Sequence, residues 1–184
     1  MLKLPKGLIA GMLSMLCGCS SAPIHYHTLV PSQPEQRAST NIRVERVRLP
    51  PQVDRSQIVV RQGDSGLVIL ETEWWGANLV DEFQSALQDQ LGGPTGGDAL
   101  ALLRVDVQRF DSVPGRYALV DATWRLKRGG GQADLTCRTV IQTAAENSVE
   151  SLVRAHQANL RKLVGAIAQV ASSSGQVACL SLAS

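Results

Sequence analysis

The sequence predicts a single α+β domain, a mostly antiparallel sheet with two main helices packed on one face. Three observations predict it. Several segments alternate apolar and polar residues with period 2, the signature of half-buried strands. Two longer stretches, 78–91 and 147–171, repeat apolar residues at helical spacing instead. The strands come in runs with no regular alternation of strand and helix, which argues against a doubly wound parallel sheet.

The elements follow in order. Residues 24–30 alternate as a strand, and 31–39, with two prolines and little apolar content, form a loop. Residues 40–49 put Ile42 and Val44 on one parity and Val47 and Leu49 on the other. A bulge near Glu45-Arg46 brings all four to one face, and Pro50-Pro51 ends the strand. Residues 58–61 and 67–75, joined across Gly63 and Gly66, read as a hairpin.

Asn78, with Asp81 three residues on, caps a helix whose apolar positions are Leu79, Val80, Phe83, Ala86, Leu87 and Leu91. Gly92-Gly93-Pro94 stops it. Residues 100–110, 118–126 and 135–141 alternate as three successive strands, with Gly129-Gly130-Gly131 turning between the last two. Asn147, with Glu150, caps a long helix whose seam runs from Val149 through His156 to Ala171, and 176–182 form an apolar tail, an edge strand.

The N-terminus carries a separate message. Lys3 and Lys6 precede an apolar run over 8–16, which is too short for a membrane-spanning helix, since that needs about 20 residues. It reads as a secretion signal. Its end, Leu16-Cys17-Gly18-Cys19, has the Leu-x-Gly-Cys shape of a lipobox, in which the Cys thiol is acylated and the chain is cut before it. The division is therefore 1–18 signal peptide, 19–23 lipidated leader and 24–184 domain, with Cys19 the lipid attachment point. Two or more acyl chains anchor stably where one does so marginally. Ser20, rather than the aspartate associated with inner-membrane retention, directs the chain to the periplasmic face of the outer membrane.

About 165 residues remain after cleavage, enough for one domain with a real core. The precursor has 18 basic and 16 acidic residues, so removing the two signal lysines leaves a neutral chain. Basic residues are scattered, without the runs that bind nucleic acid or acidic headgroups. With Cys17 removed and Cys19 acylated, Cys137 and Cys179 are left in an oxidising compartment as a possible disulfide, the alternative being two buried thiols.

Catalysis has little foothold. His25 and His27 lie two apart on a strand and point the same way, but a metal site needs at least three protein ligands and no third is near in sequence. His156 sits on an apolar seam, where a core histidine is the plain explanation, and Asp54-Arg55 is read as a local charge pair. Neither a nucleophile elbow nor a phosphate loop is present, so no cofactor is expected. Trp74 and Trp75 alternate across a strand, which makes Trp75 core and leaves Trp74 at the rim as a possible interface residue.

Taken in order, the lipobox, Tyr26-x-x-Leu29, Ile42-x-Val44-x-x-Val47-x-Leu49-Pro50, residues 54–61 and Trp75 followed by Leu79 resemble the PqiC-type ABC-transport auxiliary lipoproteins over residues 16–91. The resemblance implies a non-catalytic outer-membrane lipoprotein. It further implies assembly into a homo-oligomeric ring and docking on the MCE-domain periplasmic protein of an ABC-type lipid transporter. A chaperone-like lipoprotein holding one lipid would instead need an internal apolar cavity of several hundred Å3. A periplasmic hydrolase would need a Ser, His and acid brought within hydrogen-bond reach.

Overall fold

The computed structural model describes residues 22–32, 38, 40–92, 101–129, 133–173 and 179. The signal segment, Cys19, the glycines at 130 and 131, and the tail at 176–182 apart from Cys179 lie outside the described residues. The elements are β1 (His25–His27), β2 (Ile42–Arg48), β3 (Gln57–Gln62), β4 (Gly66–Trp75), α1 (Leu79–Leu91), β5 (Ala101–Val113), β6 (Tyr117–Arg128), β7 (Leu135–Ala144) and α2 (Val149–Ser172). This is an α+β fold in which antiparallel pairings predominate.

The strands divide into two sheets, ordered β1-β4-β3 and β2-β5-β6-β7, rather than forming one. Both N-terminal strands pair in parallel, β1 with β4 and β2 with β5. The register of β2 shifts between Val44 and Arg46, so the bulge at Glu45 keeps Ile42, Val44 and Val47 all buried. The inner face of the four-stranded sheet presents Leu103, Val105, Ala122, Trp124, Leu126 and Ile141 to the helices. Trp124 is fully buried and its indole N–H donates to Thr139 Oγ1 at 3.0 Å, which satisfies the polar end of a core aromatic. Phe83 and Leu87 of α1 and Leu160, Leu163 and Ile167 of α2 complete this core.

The first strand is shorter than the alternation over 24–30 predicts. After His27 the chain leaves the ladder because the Glu82 carboxylate draws it inward, accepting from Thr28 Oγ1 at 2.7 Å and from the Leu29 N–H at 2.9 Å. Leu29 is thereby fully buried. Gly76 makes room for this arrangement: its N–H donates to the His27 carbonyl at 2.8 Å, and a Cβ there would stand 3.0 Å from Glu82 Oε1.

The helix starts also differ from expectation. Asn78 is the N-cap of α1, but its side chain accepts from Ser56 Oγ at 2.8 Å instead of from the helix backbone. The long helix is capped by Ser148, whose Oγ accepts from the Ser151 N–H at 3.1 Å, one residue beyond Asn147. Ser151 Oγ accepts in turn from the Glu146 N–H, while Glu150 pairs with Arg154. Gly92, with φ 80°, ends α1 in the left-handed conformation that glycine adopts freely.

Candidate docking surface

The short edge strand β1 carries the most exposed large apolar side chain described, Tyr26, at 66%, with Ile24 at 45% just before it. In the parallel ladder Tyr26 stands opposite Trp74. Trp74 is half-buried and its indole N–H donates to the Glu71 carbonyl at 2.9 Å, whereas Trp75 is 3% exposed and packs edge-on to Phe110. The pair behaves as alternation across a strand requires. What sequence reasoning missed is Tyr26, which turns one rim tryptophan into an apolar strip along a sheet edge.

A polar clamp lies in the same ladder. His25 and His27 both reach Glu73, His25 Nδ1 to Oε1 at 2.9 Å and His27 Nε2 to Oε2 at 2.6 Å. Burial works against the Glu73 carboxylate, but the two imidazole hydrogen bonds outweigh it and hold the group below its ordinary range. Glu73 is 48 residues from His25, which is why spacing alone did not reveal it. Each ring nitrogen takes a different carboxylate oxygen, so the three side chains tie β1 to β4 and do not converge on a point. Among the described residues no set of His, Cys, Asp and Glu is placed to hold a metal.

A serine and a histidine of the described residues are brought together in the core at Ser112 and His156, Oγ to Nε2 at 2.9 Å. Both are buried, His156 completely, with its ring stacked on Phe110 at 3.8 Å. Among the described residues its Nδ1 has no partner, so none of their acids orients the ring as a hydrolytic triad demands. Burial pushes the imidazole down to about 3, which keeps it neutral. Asp54 and Arg55, read from sequence as a local pair, form no ion pair with each other; Arg55 Nε is buried without a partner, while its backbone carbonyl accepts from the first helical N–H of α1.

Cys137, buried on β7, is joined to the exposed Cys179 with Cα atoms 5.4 Å apart, closing 42 residues of sequence. The space between helices and sheet, where an internal lipid would have to lie, is occupied by Trp124, Phe83, Leu87 and Leu160, all fully buried. Two grooves, of about 280 and 230 Å3, lie elsewhere and are lined largely by polar side chains. No helix among the described residues is long and apolar enough to cross a membrane.

Residues 27–168 match the family described as the ABC-type transport auxiliary lipoprotein component. The chain belongs to that family. Its fold is shared with an uncharacterized protein of known crystal structure at TM-score 0.66 and 18% identity, over 82% of this chain and all of the other. It is also shared with a protein from Xanthomonas campestris at TM-score 0.57 and 16% identity, over 77% of this chain and 90% of the other. No curated protein matches. The auxiliary lipoprotein family thus extends through β7 and most of α2, beyond the N-terminal half on which the sequence motifs rest.

Proposed function

We propose that this auxiliary lipoprotein is a non-catalytic subunit of an MCE/ABC-type intermembrane lipid transport system. It is anchored through acylated Cys19 at the periplasmic face of the outer membrane and docks the end of the periplasmic conduit as a homo-oligomeric ring. The observation that carries the reading is the Tyr26–Trp74 strip. A short edge strand leaves one side of its backbone unpaired, and exposed aromatics beside such an edge are where partners add. The family match supports the transporter, and the lipobox supports the anchor.

The strip is tested by Tyr26→Glu with Trp74→Glu. Light scattering on the purified protein is expected to give an oligomer for the parent chain and a folded monomer for the variant, which should also fail to restore transport in cells. A parent chain that is monomeric at tens of micromolar removes the ring. An oligomeric variant moves the contact to another surface.

A further inference from the structure

Arginines that are scattered along the sequence are gathered by the four-stranded sheet. On its solvent face Arg46 of β2 stands opposite Arg104 of β5, which stands opposite Arg125 of β6. Neighbouring strands are about 4.8 Å apart, so three guanidinium groups spring from a row roughly 10 Å long. One pleat further along, Arg48 faces Asp106. These residues line the groove of about 280 Å3, with Thr123 and Thr136 at its β6 and β7 side.

Like charges placed directly opposite each other across strands destabilise a sheet. The face relieves this only in part. Glu45 takes a bidentate bond from Arg104, at 2.7 and 2.9 Å, and Arg48 lies 3.9 Å from Asp106. Arg125 has a long 3.4 Å contact to the Thr136 hydroxyl, and the Arg46 side chain makes no hydrogen bond to any described residue. Four cations against Glu45 and Asp106 leave an excess of positive charge in a chain that is neutral without its signal lysines. Arginine forks of this kind suit phosphate oxygens, which they can bind bidentately.

We propose that this face docks on the phosphate groups of an anionic lipid headgroup layer. A protein contact centres on buried aromatics as well as arginines, and the two rows lining the groove hold only Arg, Asp and Thr at their exposed positions. A headgroup layer is a flat array of anions and needs no such anchor. The choice of a lipid surface rests on the membrane-tethered reading above.

The test uses residues 20–184, which contain every element described, so that binding is read without the acyl anchor. Flotation with phosphatidylcholine vesicles, with and without phosphatidylglycerol, is expected to show salt-sensitive binding only when phosphatidylglycerol is present, with inorganic phosphate competing. Each arginine near an anionic surface is worth about fivefold in affinity, so Arg46→Gln with Arg125→Gln should weaken binding by about 25-fold. Arg116→Gln with Arg154→Gln, which removes equal charge from other surfaces, should leave it unchanged. Thermal melting verifies that both double variants are folded.

Equal loss in the two double variants, retention in the first, or binding to polyglutamate without binding to vesicles overturns the proposal. Because Cys19 is absent from the assay, failure here leaves the adaptor reading standing. An unacylated Cys19 would refute the anchor without altering the behaviour of this face.

Discussion

Replacing His156 by Gln should flatten the dependence of stability on pH between 7.5 and 5. His156 is fully buried and held neutral, its value lowered to about 3 by loss of hydration, against 6.5 in the unfolded chain. Below pH 6.5 the unfolded chain therefore binds a proton that the native state refuses. Stability falls as the pH drops, by about 1.4 kcal/mol per unit once well below 6.5 and continuing toward 3. From pH 7.5 to 5 this amounts to about 2 kcal/mol, a sizeable share of the 5–15 kcal/mol typical of a domain. Glu45, Glu73 and Asp121 are all held below their ordinary carboxylate values, so their own losses come at lower pH and stay out of the window. Urea unfolding of the parent chain and His156→Gln at the two pH values gives the difference directly. The variant loses its Phe110 stacking and starts from a lower stability, but its decline should be smaller by about 2 kcal/mol. Parallel declines would refute the argument that His156 is a buried neutral base.

Cys19→Ala is expected to yield an unprocessed precursor retained in the inner membrane, and recovery of a chain cut after Gly18 in the outer membrane would refute acylation there. Alkylating the unfolded, unreduced protein and weighing it should find Cys137 and Cys179 unlabelled. Reduction should then cost about 4 kcal/mol in the chain-entropy account of a 42-residue loop, and two labelled thiols would leave a pair of unbonded cysteines. Changing His25 and His27 together to Gln, whose amide can still donate to Glu73, should leave the fold, the assembly and transport intact. Loss of transport with an unchanged fold and assembly would point instead to metal or proton chemistry at the pair.

How far the sequence could be read depended on the range of the interactions involved. The hairpin β3–β4, the strands β5, β6 and β7 and both helices were legible because alternation and helical spacing are local. Even the bulge at Glu45 followed from the parity of four apolar residues. Local spacing places the caps only to within one residue or one partner, since Asn78 accepts from Ser56 on another segment rather than from its own helix. The division of the strands into two sheets is not legible locally, because parallel pairing of β1 with β4 leaves no trace in the alternation of either strand. The site residues divide in the same way. Trp74 and Trp75 could be sorted from their parity, but Glu73 between two histidines, Glu82 beneath Leu29 and the Arg46–Arg104–Arg125 row arise from contacts across 46 or more residues or across strand registers.

The parallel placement of the two N-terminal strands also sets an order of events in folding. β1 must wait for β4, 48 residues later at His25 and Glu73, and β2 must wait for β5, 59 residues later at Ile42 and Ala101. The β5–β6–β7 meander needs only short closures, and α2 follows it directly, so the cheap loop entropies lie in the C-terminal half. If the chain is exported N-terminus first, as the proposed anchor requires, its late-pairing strands lead and its early-pairing ones come last. Substitutions in β6 should accordingly slow refolding, and those in β1 should chiefly speed unfolding in stopped-flow experiments. The Tyr26 edge, proposed above as the docking surface, is thus expected to be the last piece of the sheet to close, forming only when the rest of the domain is already built.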